Sequence, residues 1–101
     1  MANVISEIFV ERARQIERED WSLEHDDLHI DGELALAASA YCINAACLAN
    51  PNQEPFTDDD PPEMWPFDKR FWKPKTARRD LIRAAALIVA EIQRIDRIAE
   101  R

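Results

Sequence analysis

The densest run of titratable side chains is Glu24, His25, Asp26, Asp27 and His29, followed closely by Asp31 and Glu33. Carboxylates at this density hold Mg²⁺ or Mn²⁺ beside phosphates, and imidazoles suit transition metals. A metal-dependent site here draws on Glu24, Asp26, Asp27 and Glu33, with Mg²⁺ as its cofactor. His25 and His29 are four apart and would share a helix face, but the central glutamate of the HExxH zinc signature is missing. The same acids serve equally well to cap helices and to pair with arginines of a later helix, and that reading needs no metal or other cofactor.

A second cluster has the opposite sign. Trp65, Phe67, Lys69, Arg70, Phe71, Trp72, Lys73, Lys75, Arg78 and Arg79 interleave aromatic and cationic groups. Lys75, Arg78 and Arg79 surround the expected start of the last helix, whose free N–H groups and dipole favour an anion. Guanidiniums fork onto phosphate, and Trp65 or Trp72 offers a ring on which a base stacks. A nucleotide-sized ligand fits that chemistry, with Asp26 and Asp27 orienting the arginines or accepting from ribose hydroxyls. The competing reading is a hydrophobic lid with a solvated basic rim. Trp21 and Tyr41 serve either as ligand contacts or as core. No serine or cysteine carries the surroundings of an activated nucleophile.

Three helices must position these groups. The pattern predicts helices over residues 3–19, 32–49 and 77–99. In the first, Val4, Ile5, Ile8, Phe9, Ala13 and Ile16 recur at helical spacing and are expected to face inward. In the second, Asp31 is expected as cap and Leu34, Ala37, Ala38, Tyr41, Cys42, Ala45 and Leu48 as the inner face. Its alanines let neighbouring helices approach closely, and Asn50-Pro51 ends it. Thr76 caps the third helix, where Leu81, Ala85, Ile88, Ile92 and Ile95 repeat at 4-3-4-3 spacing, the seam for a partner helix. Ile82, Val89 and Ile98 widen that stripe, so self-association through the third helix is expected. All six prolines lie between Pro51 and Pro74. They mark an acidic loop over residues 50–63 and an aromatic, basic flap over 64–75, the latter folding back on the core. A short helical turn is expected to begin at Pro66. The expected fold is a small all-α three-helix bundle, one domain over residues 1–101, with a long loop between the second and third helices.

Composition narrows the function. Net charge is −7, split unevenly: 15 acids against 3 bases (−12) over residues 1–63, and 5 against 10 (+5) over 64–101. An acidic chain argues against general nucleic-acid binding, which needs a broad basic face. One glycine, Gly32, excludes both Gly-rich phosphate-loop motifs. No apolar run reaches the ~18–20 residues that span a bilayer. Cys42 and Cys47 point about 140° apart on a helix, which disfavours a bridge and suggests a reducing, cytoplasmic setting.

The segment Asp20-Trp21-Ser22-Leu23-Glu24-His25-Asp26-Asp27 is similar to the tryptophan-plus-acidic-pair segment of the ryanodine-receptor repeat (RyR) domain. Lys73-Pro74-Lys75-Thr76-Ala77-Arg78-Arg79-Asp80 resembles the entry to that domain's last helix. The order Trp21, Asp26-Asp27, Trp65-Pro66-Phe67-Asp68, Trp72-Lys73-Pro74 and Arg78-Arg79-Asp80 also looks like a group of short phage and prophage proteins. The resemblance implies a non-enzymatic helical module for nucleotide-like ligands. In a phage setting, within the host cytoplasm, such a module would sequester a host immune signalling nucleotide in an anti-defence role. Gly32-Glu33-Leu34-Ala35 looks like the start of the metal helix in MazG-type nucleotide pyrophosphohydrolases, though their EExxE signature is absent. That resemblance implies metal-dependent hydrolysis. A third expectation is a protein-interaction module that meets its partner through Asp58-Asp59-Asp60 and the aromatic flap.

Overall fold

The computed structural model describes residues 3–18, 27–28 and 31–100. Among them are three α-helices: α1 (Val4–Arg18), α2 (Glu33–Ala49) and α3 (Ala77–Ala99). The fold is all-α with a long connection between α2 and α3. Helix α3 is the centre, packing against α2 on one side and α1 on another.

Small side chains bring α2 and α3 together. Ala37, Ala38, Ala40 and Ala45 of α2 and Ala84, Ala86 and Ala90 of α3 are buried, with Leu34 and Leu87 filling the space between. Helices meeting through alanine approach closely and lose little side-chain entropy on packing. Tyr41 is also buried, and the aromatic segment after Pro62 folds back onto it as expected. Tyr41 stacks on Trp72 at 4.7 Å between centroids and meets Trp65 edge-on at 5.5 Å. Phe56, Met64, Phe67 and Phe71 pack around this cluster.

The helix ends follow local chemistry. Thr76 Oγ1 accepts from the Arg79 backbone N–H (3.1 Å), the expected cap of α3. Helix α2 begins differently from expectation. Its cap position is Gly32, left-handed at φ 82°, with no side-chain cap. Asp31 does not cap; its own backbone N–H donates to Glu33 Oε1 at 2.7 Å. The chain's one glycine thus sits where a side chain would be strained. The short helical turn also falls later than Pro66. It is a 3₁₀ turn over Lys69–Phe71, started by Asp68 Oδ1 accepting from the Arg70 N–H at 2.9 Å.

The long connection is tied down at both ends. Asn44 Oδ1 accepts from the Phe56 N–H (2.8 Å), and Asn44 Nδ2 donates to Asp80 Oδ2 (2.9 Å). Asp80 Oδ1 accepts from the Lys75 N–H (2.8 Å). Both side chains are buried.

The inward faces of α1 and α2 differ from the expected ones, whereas the α3 stripe lies outward. Helix α1 buries Glu11, Arg12 and Gln15, and exposes Val4, Ile5, Phe9 and Val10. Ion pairing to α3 decides its orientation, overriding the apolar stripe. Helix α3 buries Ile82, Ala84, Ala86, Leu87 and Ala90, while Leu81, Ile88, Ile92, Ile95 and Ile98 face outward. On α2, Cys42 and Leu48 are exposed rather than buried; Cys47 and Asn44 take inner positions.

Candidate functional site

Trp21, Glu24 and Asp26 lie outside the described residues. Asp27 is described: its Oδ1 accepts from Arg97 Nε (3.1 Å) and Nη2 (2.7 Å), tying the segment before α2 to the end of α3. Glu33 is occupied by the Asp31 N–H. Among the described residues no group of three or more metal-ligating side chains converges.

The arginines expected to hold phosphate are engaged with α1. Arg78 forks onto Glu7, Nη1 to Oε1 at 2.9 Å and Nη2 to Oε2 at 2.5 Å. Arg79 Nη2 donates to Glu11 Oε1. Arg14 adds its own fork to Glu11 at 2.7 Å for both bonds, and Gln15 Nε2 donates to Oε2 at 3.2 Å. The Arg78 hydrogen bond holds the Glu7 carboxyl below the usual carboxylate range. For Glu11, burial pushes upward, but the Arg14 hydrogen bonds and the charges of Arg14, Arg79 and Arg83 outweigh it and leave the carboxyl low. Both acids are therefore held ionised, matched to the arginines. Lys75 is exposed and contributes its backbone N–H to Asp80.

The tryptophans correct the stacking expectation. Trp72 is only 2% exposed, and Tyr41 covers a ring face. Its Nε1 donates to the Thr57 carbonyl at 2.9 Å, and Trp65 Nε1 donates to the Asp68 carbonyl at 3.2 Å. A base reaches neither ring without opening the core. The hollow beside the arginines, about 430 Å³, is lined by Asn3, Ser6, Glu7, Val10 and Arg79. It presents a carboxylate together with a guanidinium, and neither tryptophan.

The structure assembles another surface instead. A groove of about 430 Å³ runs between α2 and α3, lined by Ala35, Ala38, Ser39, Cys42 and Ile43 on one side and Ile88 on the other. Small side chains form its floor and isoleucines its walls. Along α3 the outward stripe continues through Leu81, Ile92 and Ile95; along α2, Leu36 and Leu48 are also exposed. Desolvation by neighbouring atoms raises the Cys42 thiol above its ordinary pKa, which opposes thiolate chemistry. The groove thus offers apolar shape and no reactive group.

The α3 half of this surface is the seam expected from the sequence. The α2 half was missed, although a signal for it exists. From Leu34 to Ala49 the chain carries no charged residue. A helix without a polar face expects cover on all sides, yet part of α2 faces outward.

No protein-family model, curated protein or solved structure matches the chain. The fold and surface define its class: an all-α module, closed by ion pairs between α1 and α3 and left apolar across α2 and α3. No helix among the described residues is long and apolar enough to cross a membrane.

Proposed function

We propose that the protein is a non-enzymatic interaction module that docks an apolar helical partner on the outer face of α2 and α3. One observation carries this reading: the 4-3-4-3 aliphatic stripe of α3 is exposed and borders the α2 groove. Exposed apolar residues scattered singly need no explanation, but a continuous patch marks an interaction site. Helix-in-groove recognition uses this geometry, with anchors three and four residues apart filling an apolar trough.

This reading places the partner surface on the helices. The acidic loop and flap are a poorer surface, because the flap's tryptophans are buried. A nucleotide-like ligand ranks lower: its phosphate would have to compete with Glu7 and Glu11 for Arg78 and Arg79. Metal-dependent hydrolysis ranks lower still, because Asp27 and Glu33 are held by other partners. The cytoplasmic and anti-defence settings suggested by the phage resemblance are compatible with an interaction module and are part of the proposal only as its setting.

Site-specific photocrosslinking tests the docking face. A benzophenone side chain replaces Ile92 in one variant and Asp59, on the acidic loop, in another. Irradiation in expressing cells should give a discrete adduct from position 92 and none from position 59. No adduct from position 92 would exclude the α2–α3 face as a docking surface.

A further inference from the structure

Resting on that reading, we infer that the occupant of the α2–α3 face is a second copy of this chain, with its α3 running antiparallel. The argument comes from the order of side-chain sizes along the exposed stripe. From one end it reads Leu81, Ala85, Ile88, Ile92, Ile95, Ala99. Packed against itself in reverse, one register uses all six positions. Leu81 meets Ala99 of the second copy, Ala85 meets Ile95, and Ile88 meets Ile92; the two-fold axis repeats each contact. Large faces small toward the ends, and isoleucine faces isoleucine beside the axis. Interdigitation of that kind is what close packing requires.

Parallel pairing fails the same comparison. In register it sets Ala85 against Ala85 and Ala99 against Ala99, leaving gaps between bulky layers. It also sets the exposed Asp96 against Asp96. The antiparallel arrangement brings the exposed Lys75, just before α3, toward the exposed Asp96 and Glu100 near the end of the other copy's helix. Those charges lie at the rim, where they select orientation more than they add affinity.

The groove beside Ile88 adds a second match. Its alanine and serine floor lies next to the centre of the proposed contact. There the protruding isoleucines of the second copy have a recess to enter. A face two helices wide and about 25–35 Å long amounts to roughly 500–700 Å² per copy, near the ~800 Å² per partner of stable complexes. The same patch meets itself, so the assembly closes as a dimer and does not propagate.

Light scattering on size-separated protein tests the pairing, with charge variants to test its register. Wild type should run at twice the chain mass at about 100 µM, within the ordinary range of association constants. Ile92→Lys and Ile88→Glu should each run as monomers with unchanged helical circular dichroism, since both positions are exposed. An equimolar mixture of the Ile88→Glu and Ile92→Lys proteins should recover a dimer, because the two new charges then lie on different copies and face each other across the antiparallel seam. Cysteine crosslinking in a Cys42→Ser background fixes direction. A mixture of Ala85→Cys and Ile95→Cys proteins should form a mixed disulfide, whereas Ala85→Cys alone should not, its copies lying about 15 Å apart along the axis.

A monomeric wild type overturns self-pairing, as does a dimer untouched by Ile92→Lys. Self-crosslinking of Ala85→Cys, or no recovery on mixing the Ile88→Glu and Ile92→Lys proteins, overturns the antiparallel register. The photocrosslink at position 92 separates the two levels. An adduct of some other mass, with a monomeric wild type, removes the second copy but keeps the docking face; no adduct removes both.

Discussion

Asn44 and Asp80 hold the chain where it is least regular. Through the backbone N–H groups of Phe56 and Lys75 they anchor both ends of the aromatic segment, and they bond to each other inside. Removing Asp80 leaves the Asn44 amide and the Lys75 N–H without their acceptor. Buried donors left unsatisfied cost about 1–3 kcal/mol each, so Asp80→Ala should lower stability by roughly 2–4 kcal/mol. Arg83 is an instructive contrast, also charged and buried. Its guanidinium lies over the Tyr41 ring at 5.8 Å, but its Nε and Nη1 have no hydrogen-bond partner. Arg83→Met removes an incompletely satisfied charge and keeps its volume. The charge also attracts Glu11, so a loss is expected, but one smaller than for Asp80→Ala, about 1 kcal/mol. Urea midpoints for the two variants decide this; an equal loss in both would refute the distinction. Gly32 is simpler. A Cβ there meets nothing within 4 Å, so Gly32→Ala should cost only its positive φ, about 1 kcal/mol, read from the same midpoints.

At the scale of elements, α1 is fastened to α3 by charge. Glu7 and Glu11 have pKa values lowered by their arginines, so the unfolded chain takes up protons first as pH falls. Their stabilisation is complete above the ordinary glutamate value of 4.5. It is lost as pH drops through the depressed native values. Wild-type stability should therefore fall below about pH 4.5, and Glu11→Gln should flatten that fall. A fully buried pair loses roughly 3–5 kcal/mol when one partner is removed; Arg14 and Arg79 keep part of their surface in water, so about 2 kcal/mol is expected at pH 7. Urea midpoints at pH 7 and pH 3.5 for both proteins check slope and size. These pairs also explain what was legible. Helical spacing, the Thr76 cap and the Asn50-Pro51 stop are local, and all three elements follow from them. Which face turns inward is not local. Glu7 meets Arg78 and Glu11 meets Arg79 across most of the chain, and no spacing rule shows it. Periodicity shows the apolar face of α1 but not which way that face turns. The aromatic flap was readable because no solvated segment keeps that many rings, but its proximity to arginines in sequence wrongly suggested a shared site.

For the whole molecule, the question is where the apolar surface goes. A chain this short buries a modest share of its surface when folded alone, which leaves stability sensitive to any further burial. Here the small-residue contact between α2 and α3 brings the helices close but contributes little bulk. The larger aliphatics, Leu81, Ile88, Ile92 and Ile95, sit outside it. If a second copy covers them, folding and association are one equilibrium, and the thermal midpoint must depend on protein concentration. Each tenfold increase favours the folded dimer by about 1.4 kcal/mol, or about 0.7 per chain, which for a domain of this size is roughly 3–5 °C. Wild type should show that rise between about 1 and 100 µM, a span chosen to bracket a micromolar dissociation constant. Ile92→Lys should melt lower and at a temperature independent of concentration, because its folded state is the monomer. The comparison separates two roles for the stripe. A wild-type midpoint that does not move with concentration means the monomer is stable with its aliphatics in water, and the face is kept for a different partner.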